Sequence, residues 1–153
     1  MARLAAGFAG NAGVMFVAAE LGRRGLIALP TVRNTEGIDL LASEPMGRKA
    51  VSIQVKTSQA AHKKWLLTKK HETIVSPNLF YVFVNLGRPG DVPEYHVVPS
   101  RVVARTIARG HVSWLATLGK GDRAHNDTDI RAFLDFESKH RDNWAVLGLT
   151  LVE

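Results

Sequence analysis

The sequence predicts one α/β (α+β) domain with a mixed central sheet of about five strands flanked by helices, in the order α-β-β-β-(α)-β-β-α-α. Three observations predict it. Val14, Val17, Ala18 and Leu21 recur at helical spacing near the start. Short β-rich runs bounded by turn residues follow. Leu79 to Leu86 is then a nearly unbroken apolar run of aromatic and β-branched residues, the composition of a strand covered on both faces. The 153 residues, 46% hydrophobic and 22% charged, suit one globular domain with its own core.

Each element can be justified in turn. An Ala-rich helix is expected from about Asn11 to Arg24, with Gly25 as its stop. Leu26 to Val32 reads as a strand, and Pro30 puts it at an edge or a bulge. Asn34 to Gly37 is turn-like, and Ile38 to Ser43 is a strand. Glu44-Pro45-Met46-Gly47 closes a hairpin onto a partner strand from Lys49 to Thr57. Ser58 to Lys70 is a polar, basic connection leading to the central strand. Arg88 to Asp91 turns into a further strand, Glu94 to Val98. Ser100 is placed to cap a helix that Gly110 ends, and His111 to Leu118 reads as a second short helix. Gly119 to Asp127 is a polar loop. Ile130, Phe133, Leu134, Phe136 and Trp144 mark a C-terminal helical region docked on the core.

Composition excludes several chemistries. With no cysteine there are no disulfides, thiolate metal sites or cysteine nucleophiles. The apolar N-terminal stretch around Ala5, Ala6 and Phe8 is broken by Asn11 and Gly13, unlike a signal peptide, and no apolar run is long enough to span a bilayer. A soluble cytoplasmic protein without a membrane partner is therefore expected. Twenty basic against 14 acidic residues leave a net charge of +6, which favours a polyanionic partner. Gly119-Lys120-Gly121 lacks the rest of a phosphate-binding loop, and no serine elbow occurs.

The chemistry concentrates on two neighbouring strands. Gly37-Ile38-Asp39-Leu40-Leu41 places a carboxylate in a core-like run, and Val51-Ser52-Ile53-Gln54-Val55-Lys56-Thr57 places an amide and an ammonium two residues apart, on one face of a strand. A charge taken out of water must be paired, coordinated or neutralised, so Asp39 and Lys56 are expensive choices for a plain core. An acid, a second oxygen and a lysine on adjacent strands are parts for metal-assisted phosphodiester chemistry. An ion pair between Asp39 and Lys56 is the purely structural alternative.

The order helix, strand, strand with Asp39, strand with Gln54-x-Lys56 resembles the PD-(D/E)XK nuclease superfamily, which includes restriction endonucleases, Holliday-junction resolvases and the nuclease domain of tRNA-splicing enzymes. The likeness extends to small uncharacterised members through Asn11-Ala12-Gly13, Val17-Ala18-Ala19-Glu20-Leu21, Arg24-Gly25, Thr35-Glu36-Gly37-Ile38-Asp39-Leu40-Leu41, Ile53-Gln54-Val55-Lys56-Thr57-Ser58, Phe80-Tyr81-Val82-Phe83-Val84, His96-Val97-Val98-Pro99-Ser100 and Asp142-Asn143-Trp144. The resemblance implies a restriction-endonuclease-like three-layer core and an Mg²⁺- or Mn²⁺-dependent endonuclease. It implies Asp39, Gln54 and the Val55 backbone carbonyl as cation ligands, with Lys56 serving the attacking water or the phosphate. Hard divalent cations prefer such oxygen donors.

Two positions depart from the common pattern. Gln54 stands where an acid is more frequent, which removes a negative charge from the cation site. Val14 follows Gly13 where many relatives carry Gly-Glu. Glu20, the first helix's one carboxylate, lies six residues on, about 120° around the helix from Val14. It is a candidate second helix acid, and a solvated helix residue is the alternative.

The strand bearing Lys56 runs into Thr57 and Ser58, which could donate to a phosphate, and into Lys63, Lys64, Lys69 and Lys70, which suit a nucleic-acid backbone. Trp65, between lysines and leucines, reads as core rather than as a base-stacking residue. Arg101, Arg105 and Arg109 form one solvated helical stripe, and His96 on its strand reads as structural. The leading expectation is a nuclease on DNA, favoured over RNA, as a homodimer where both strands are cut. The alternatives are a nuclease-fold nucleic-acid-binding module without catalysis and an accessory protein-binding subunit.

Overall fold

The computed structural model describes residues 3–32, 36–60 and 62–152. Helix α1 runs from Ala6 to Arg23. It begins five residues before the expected Asn11, because small residues continue the helix without adding to its apolar stripe. It ends in a Schellman motif: the Leu26 N–H donates to the Leu21 carbonyl at 3.1 Å and the Gly25 N–H to the Gly22 carbonyl at 3.0 Å. Gly25 sits at φ +81, which explains the glycine there.

Five strands form the main sheet. β1 (Ile27–Pro30), β2 (Leu40–Ser43) and β3 (Ala50–Ser58) are antiparallel neighbours. β3 then pairs in parallel with β5 (Leu79–Asn85), and β5 pairs antiparallel with β6 (Glu94–Pro99). The order is β1-β2-β3-β5-β6, a mixed sheet with the Pro30 strand at one edge, as expected. A 3₁₀ turn at Pro45–Gly47 joins β2 to β3. Of the expected Asn34 to Gly37 turn, Asn34 and Thr35 lie outside the described residues, while Glu36 and Gly37 are in a turn.

The crossover from β3 to β5 contains no α-helix. It carries β4 (Lys64–Thr68) and a 3₁₀ turn, Lys69–Glu72. β4 pairs with β7 (Ile130–Leu134) in a separate two-stranded sheet. This corrects the expected C-terminal helical region, where only a 3₁₀ turn at Trp144–Leu147 is helical. β7 alternates, burying Arg131 and Phe133, and its partner lies some sixty positions upstream, so no local pattern could identify it.

Helix α2 runs unbroken from Ser100 to Leu115, through Gly110, so the expected break and second short helix are not found. Gly110 is exposed and a helix interior tolerates such a glycine at modest cost. Ser100 is not the cap: Pro99 holds that position, and the Ser100 hydroxyl instead donates to the Ser76 carbonyl at 2.8 Å and accepts the Ser76 N–H at 3.0 Å.

The sheet separates two cores, giving three layers. On one face Val17 and Leu21 of α1 pack on Leu40, Ala42, Val51, Ile53, Val55, Val82 and Val84. On the other, Val103 and Ile107 of α2, with Trp65, Leu67 and Phe133 of the small sheet, cover Tyr81, Phe83 and Val98. All seven residues of β5 are buried because both its faces are covered. Among the described residues no helix is long and apolar enough to cross a membrane.

Candidate functional site

The two-residue period of β3 divides its side chains between the two layers. Val51, Ile53 and Val55 join the core beneath α1. Gln54 and Lys56 therefore face the α2 side, opposite Tyr81 and Phe83, their register partners on β5. On β2, Leu40 and Ala42 belong to the α1 core, which turns Asp39 toward the same face as Gln54 and Lys56.

Asp39 stands where β2 parts from β3. Its N–H still donates to the Ile53 carbonyl at 2.9 Å, but the next acceptor in the ladder is its own side chain: Oδ2 accepts the Val55 N–H at 2.7 Å. The carboxylate thus takes the place of a backbone carbonyl and is fixed at the mouth of the splayed strands. Lys56, half-buried, lies within its field without a direct ion pair. Burial pulls the Lys56 ammonium below the usual lysine range, Asp39 opposes that and Lys70 adds to it.

Gln54 is 7% exposed, and its Oε1 is buried without a hydrogen-bond partner. A buried amide oxygen in this state has its lone pairs open to a water or a ligand. Asp39 Oδ1 and Gln54 Oε1 are side-chain oxygens of the kind that a hard cation takes as ligands. Among the described residues no cluster of three or more His, Asp or Glu side chains offers a richer metal-ligand set.

Two further residues join this face that the sequence reading did not single out for it. His71, 3% exposed, sits at the end of the Thr68 cap, where the Thr68 N–H donates to its Nδ1 at 3.2 Å. Its ring meets Tyr81 edge-on at 6.1 Å. Burial lowers its pKa, the Thr68 backbone opposes this, and Lys56 and Lys70 lower it further. Tyr81, fully buried, has its pKa pushed up to about 12 by desolvation. Neither His71 Nε2 nor Tyr81 Oη has a partner. A signal existed for Tyr81, a polar-tipped aromatic in an apolar run. His71 had none beyond its neighbour Lys70, since its burial depends on how α2 covers the Lys69–Glu72 turn.

The remaining candidates are distributed differently. Lys70 is exposed and ion-paired with Glu36 at 3.6 Å, close enough to Lys56 to act on it. Lys69 is exposed. Lys64 lies on the outer face of β4, beside a cavity of about 390 Å³ shared with Trp114 and Ile130. Lys63 donates from Nζ to Ser138 Oγ at 2.6 Å. Thr57 faces α1, away from Lys56, with its hydroxyl buried against Gly13: a Cβ there would stand 1.9 Å from Thr57 Oγ1. Ser58 Oγ serves the following turn, bonded to the Ala60 backbone at 3.2 Å.

Glu20 is held by Arg23 at 2.9 Å and Arg24 at 2.5 Å, in a depression with Asp142 and Trp144. Val14 packs on the α1 core. Trp65 is core, donating from Nε1 to the Val84 carbonyl at 2.9 Å, and His96 is fully buried against Asp135 at 2.6 Å. Arg101, Arg105 and Arg109 face solvent.

No protein-family profile and no curated protein sequence matches the chain. Among solved structures it is similar to a bacterial homing endonuclease, with a TM-score of 0.57 and 10% identity over 95% of this chain and 92% of that one. The likeness establishes a shared fold.

Proposed function

We propose that this chain is a metal-dependent nuclease of the PD-(D/E)XK superfamily that hydrolyses phosphodiester bonds in DNA. The observation that carries the reading is the convergence of Asp39, Gln54 and Lys56 on one face where β2 and β3 separate, with the Gln54 oxygen buried and unpaired. The fold shared with a homing endonuclease supports it, as does the net charge of +6. The oxygen donors fit a hard divalent cation, Mg²⁺ or Mn²⁺, with Asp39, Gln54 Oε1 and the Val55 carbonyl as its protein ligands. Such a cation supplies Lewis acidity and a more acidic bound water.

The chain's own residues do the rest. The Val55 N–H fixes Asp39 in one orientation. Lys56, less tightly protonated than an exposed lysine, orients the attacking water or steadies charge on the phosphate. Lys69 and Lys70, exposed beside this face, draw in the backbone of the nucleic acid. Cutting both strands of a duplex takes two such sites, which a homodimer would supply.

Linear, branched and single-stranded DNA incubated with the purified protein in Mg²⁺ or Mn²⁺ should be cleaved, and chelation or Lys56→Ala should abolish cleavage. Cleavage that survives Lys56→Ala unchanged would rule the site out. A second reading, a nucleic-acid-binding module without catalysis, draws on the single carboxylate of the ligand set and on Val14 packing into the core. It predicts salt-sensitive DNA binding with no cation requirement.

A further inference from the structure

Gln54, His71 and Tyr81 are each more than nine-tenths buried, and each ends in an atom without a partner: Oε1, Nε2 and Oη. The three belong together. Gln54 and Tyr81 are register partners on β3 and β5, and the His71 ring packs edge-on against Tyr81. Their hydrogen-bonding characters are also complementary. His71 Nδ1 meets the Thr68 N–H at 3.2 Å, its hydroxyl at 3.1 Å and its carbonyl at 3.1 Å, so the tautomer follows the Thr68 partner and Nε2 serves as donor or acceptor accordingly. Gln54 Oε1 is an acceptor, and the Tyr81 hydroxyl serves as either. No two of these atoms bond directly, whereas a polar space with two to four partners is what an internal water occupies.

We infer that His71 and Tyr81 are positioning residues for Gln54, acting through one ordered water that donates to Gln54 Oε1 and is held by His71 Nε2 and Tyr81 Oη. The water uses one lone pair of Oε1 and leaves the other for the cation, so the neutral ligand is held from behind much as ligating carboxylates are. Asp39 anchors the β2 side of the site through the Val55 N–H, and the pair His71–Tyr81 anchors the β5 side. Burial first, with Lys56 and Lys70 adding to it and the Thr68 backbone opposing it, lowers the His71 pKa. The cation part of the inference rests on the proposed function; the water does not.

Two measurements test it. A high-resolution crystal structure of the full chain should show one water within hydrogen-bond distance of all three atoms; a dry space there, or a water touching only one of them, overturns the inference. Mn²⁺ affinity, followed by titration calorimetry, should fall several-fold in Tyr81→Phe and His71→Ala, and recover in His71→Gln, whose amide can donate from a similar place. In a Gln54→Ala background Tyr81→Phe should cost nothing further. An equal loss in both backgrounds overturns positioning through Gln54. Should the wild-type chain bind no Mn²⁺ at all, the proposed function fails, and the inference is decided by the water alone.

Discussion

The two faces of the central sheet use the same strands for opposite ends. Beneath α1, β2 and β3 contribute Leu40, Ala42, Val51, Ile53 and Val55, closely packed and apolar. One residue along each strand, on the other face, come Asp39, Gln54 and Lys56, with His71 and Tyr81 beside them. The first face contributes stability through burial, on the order of 25 cal/mol per Å² of apolar surface. The second spends part of it, since buried polar atoms without partners destabilise a fold. Such a contrast within a few residues shows how a rigid scaffold presents a polar group: the core side fixes the strand, and the strand fixes the side chain.

Three substitutions probe the contrast. Lys56→Ala should have the largest functional effect, a loss of cleavage of about 10²- to 10⁴-fold, the range for a positioned acid–base group. Thermal stability should be unchanged or raised, because a half-buried ammonium is relieved. A parallel loss of stability and activity, read by calorimetry and a cleavage assay, would erase the distinction between the faces. Gly13→Ala should have the largest structural effect. Its Cβ would stand 1.9 Å from Thr57 Oγ1, so Thr57 must turn or α1 shift off β3, at about 1–3 kcal/mol by denaturant unfolding. Adding Thr57→Ala removes that oxygen and should recover part of the loss; no recovery would mean that the clash lies elsewhere.

Stability should also depend on pH through buried His71 and half-buried His140. Burial, with Lys56 and Lys70, lowers the folded-state pKa of His71 from 6.5. Burial likewise lowers that of His140, against Asp135, with His96 and Lys139 adding to it. The unfolded chain then binds more protons below pH 6.5, so the stability these neutral rings provide is complete above that value and is lost as pH falls below it. Denaturant midpoints measured downward from pH 7 should fall, and His71→Gln with His140→Gln should flatten the curve. The smallest effects belong to the basic surface: Lys69→Ala and Lys70→Ala should each weaken DNA binding and reduce the salt slope by roughly 0.9 per lost phosphate contact.

Much of the candidate site's geometry was legible because it lies on strands, where a period of two assigns faces without knowledge of the fold. Gln54 and Lys56 share a face by spacing alone, and Gly25 marks the end of α1 through its backbone conformation. What could not be read is non-local. β4 and β7 pair across more than sixty residues, so Ile130 to Leu134 looked helical and the basic connection looked irregular. Thr57 is adjacent to Lys56 in sequence but faces Gly13 in the other layer. His71 reaches this face only because a short turn folds against α2, and the pairing of Glu20 with Arg23 and Arg24 depends on side-chain placement that spacing does not give.

A crystal soaked in Mn²⁺ tests most directly whether the face bearing Asp39, Gln54 and Lys56 is a cation-dependent active site. Anomalous density is expected between Asp39 and the Gln54–Val55 strand, with Lys56 beside it and not bonded to Asp39. A direct Asp39–Lys56 ion pair with no cation bound would contradict it.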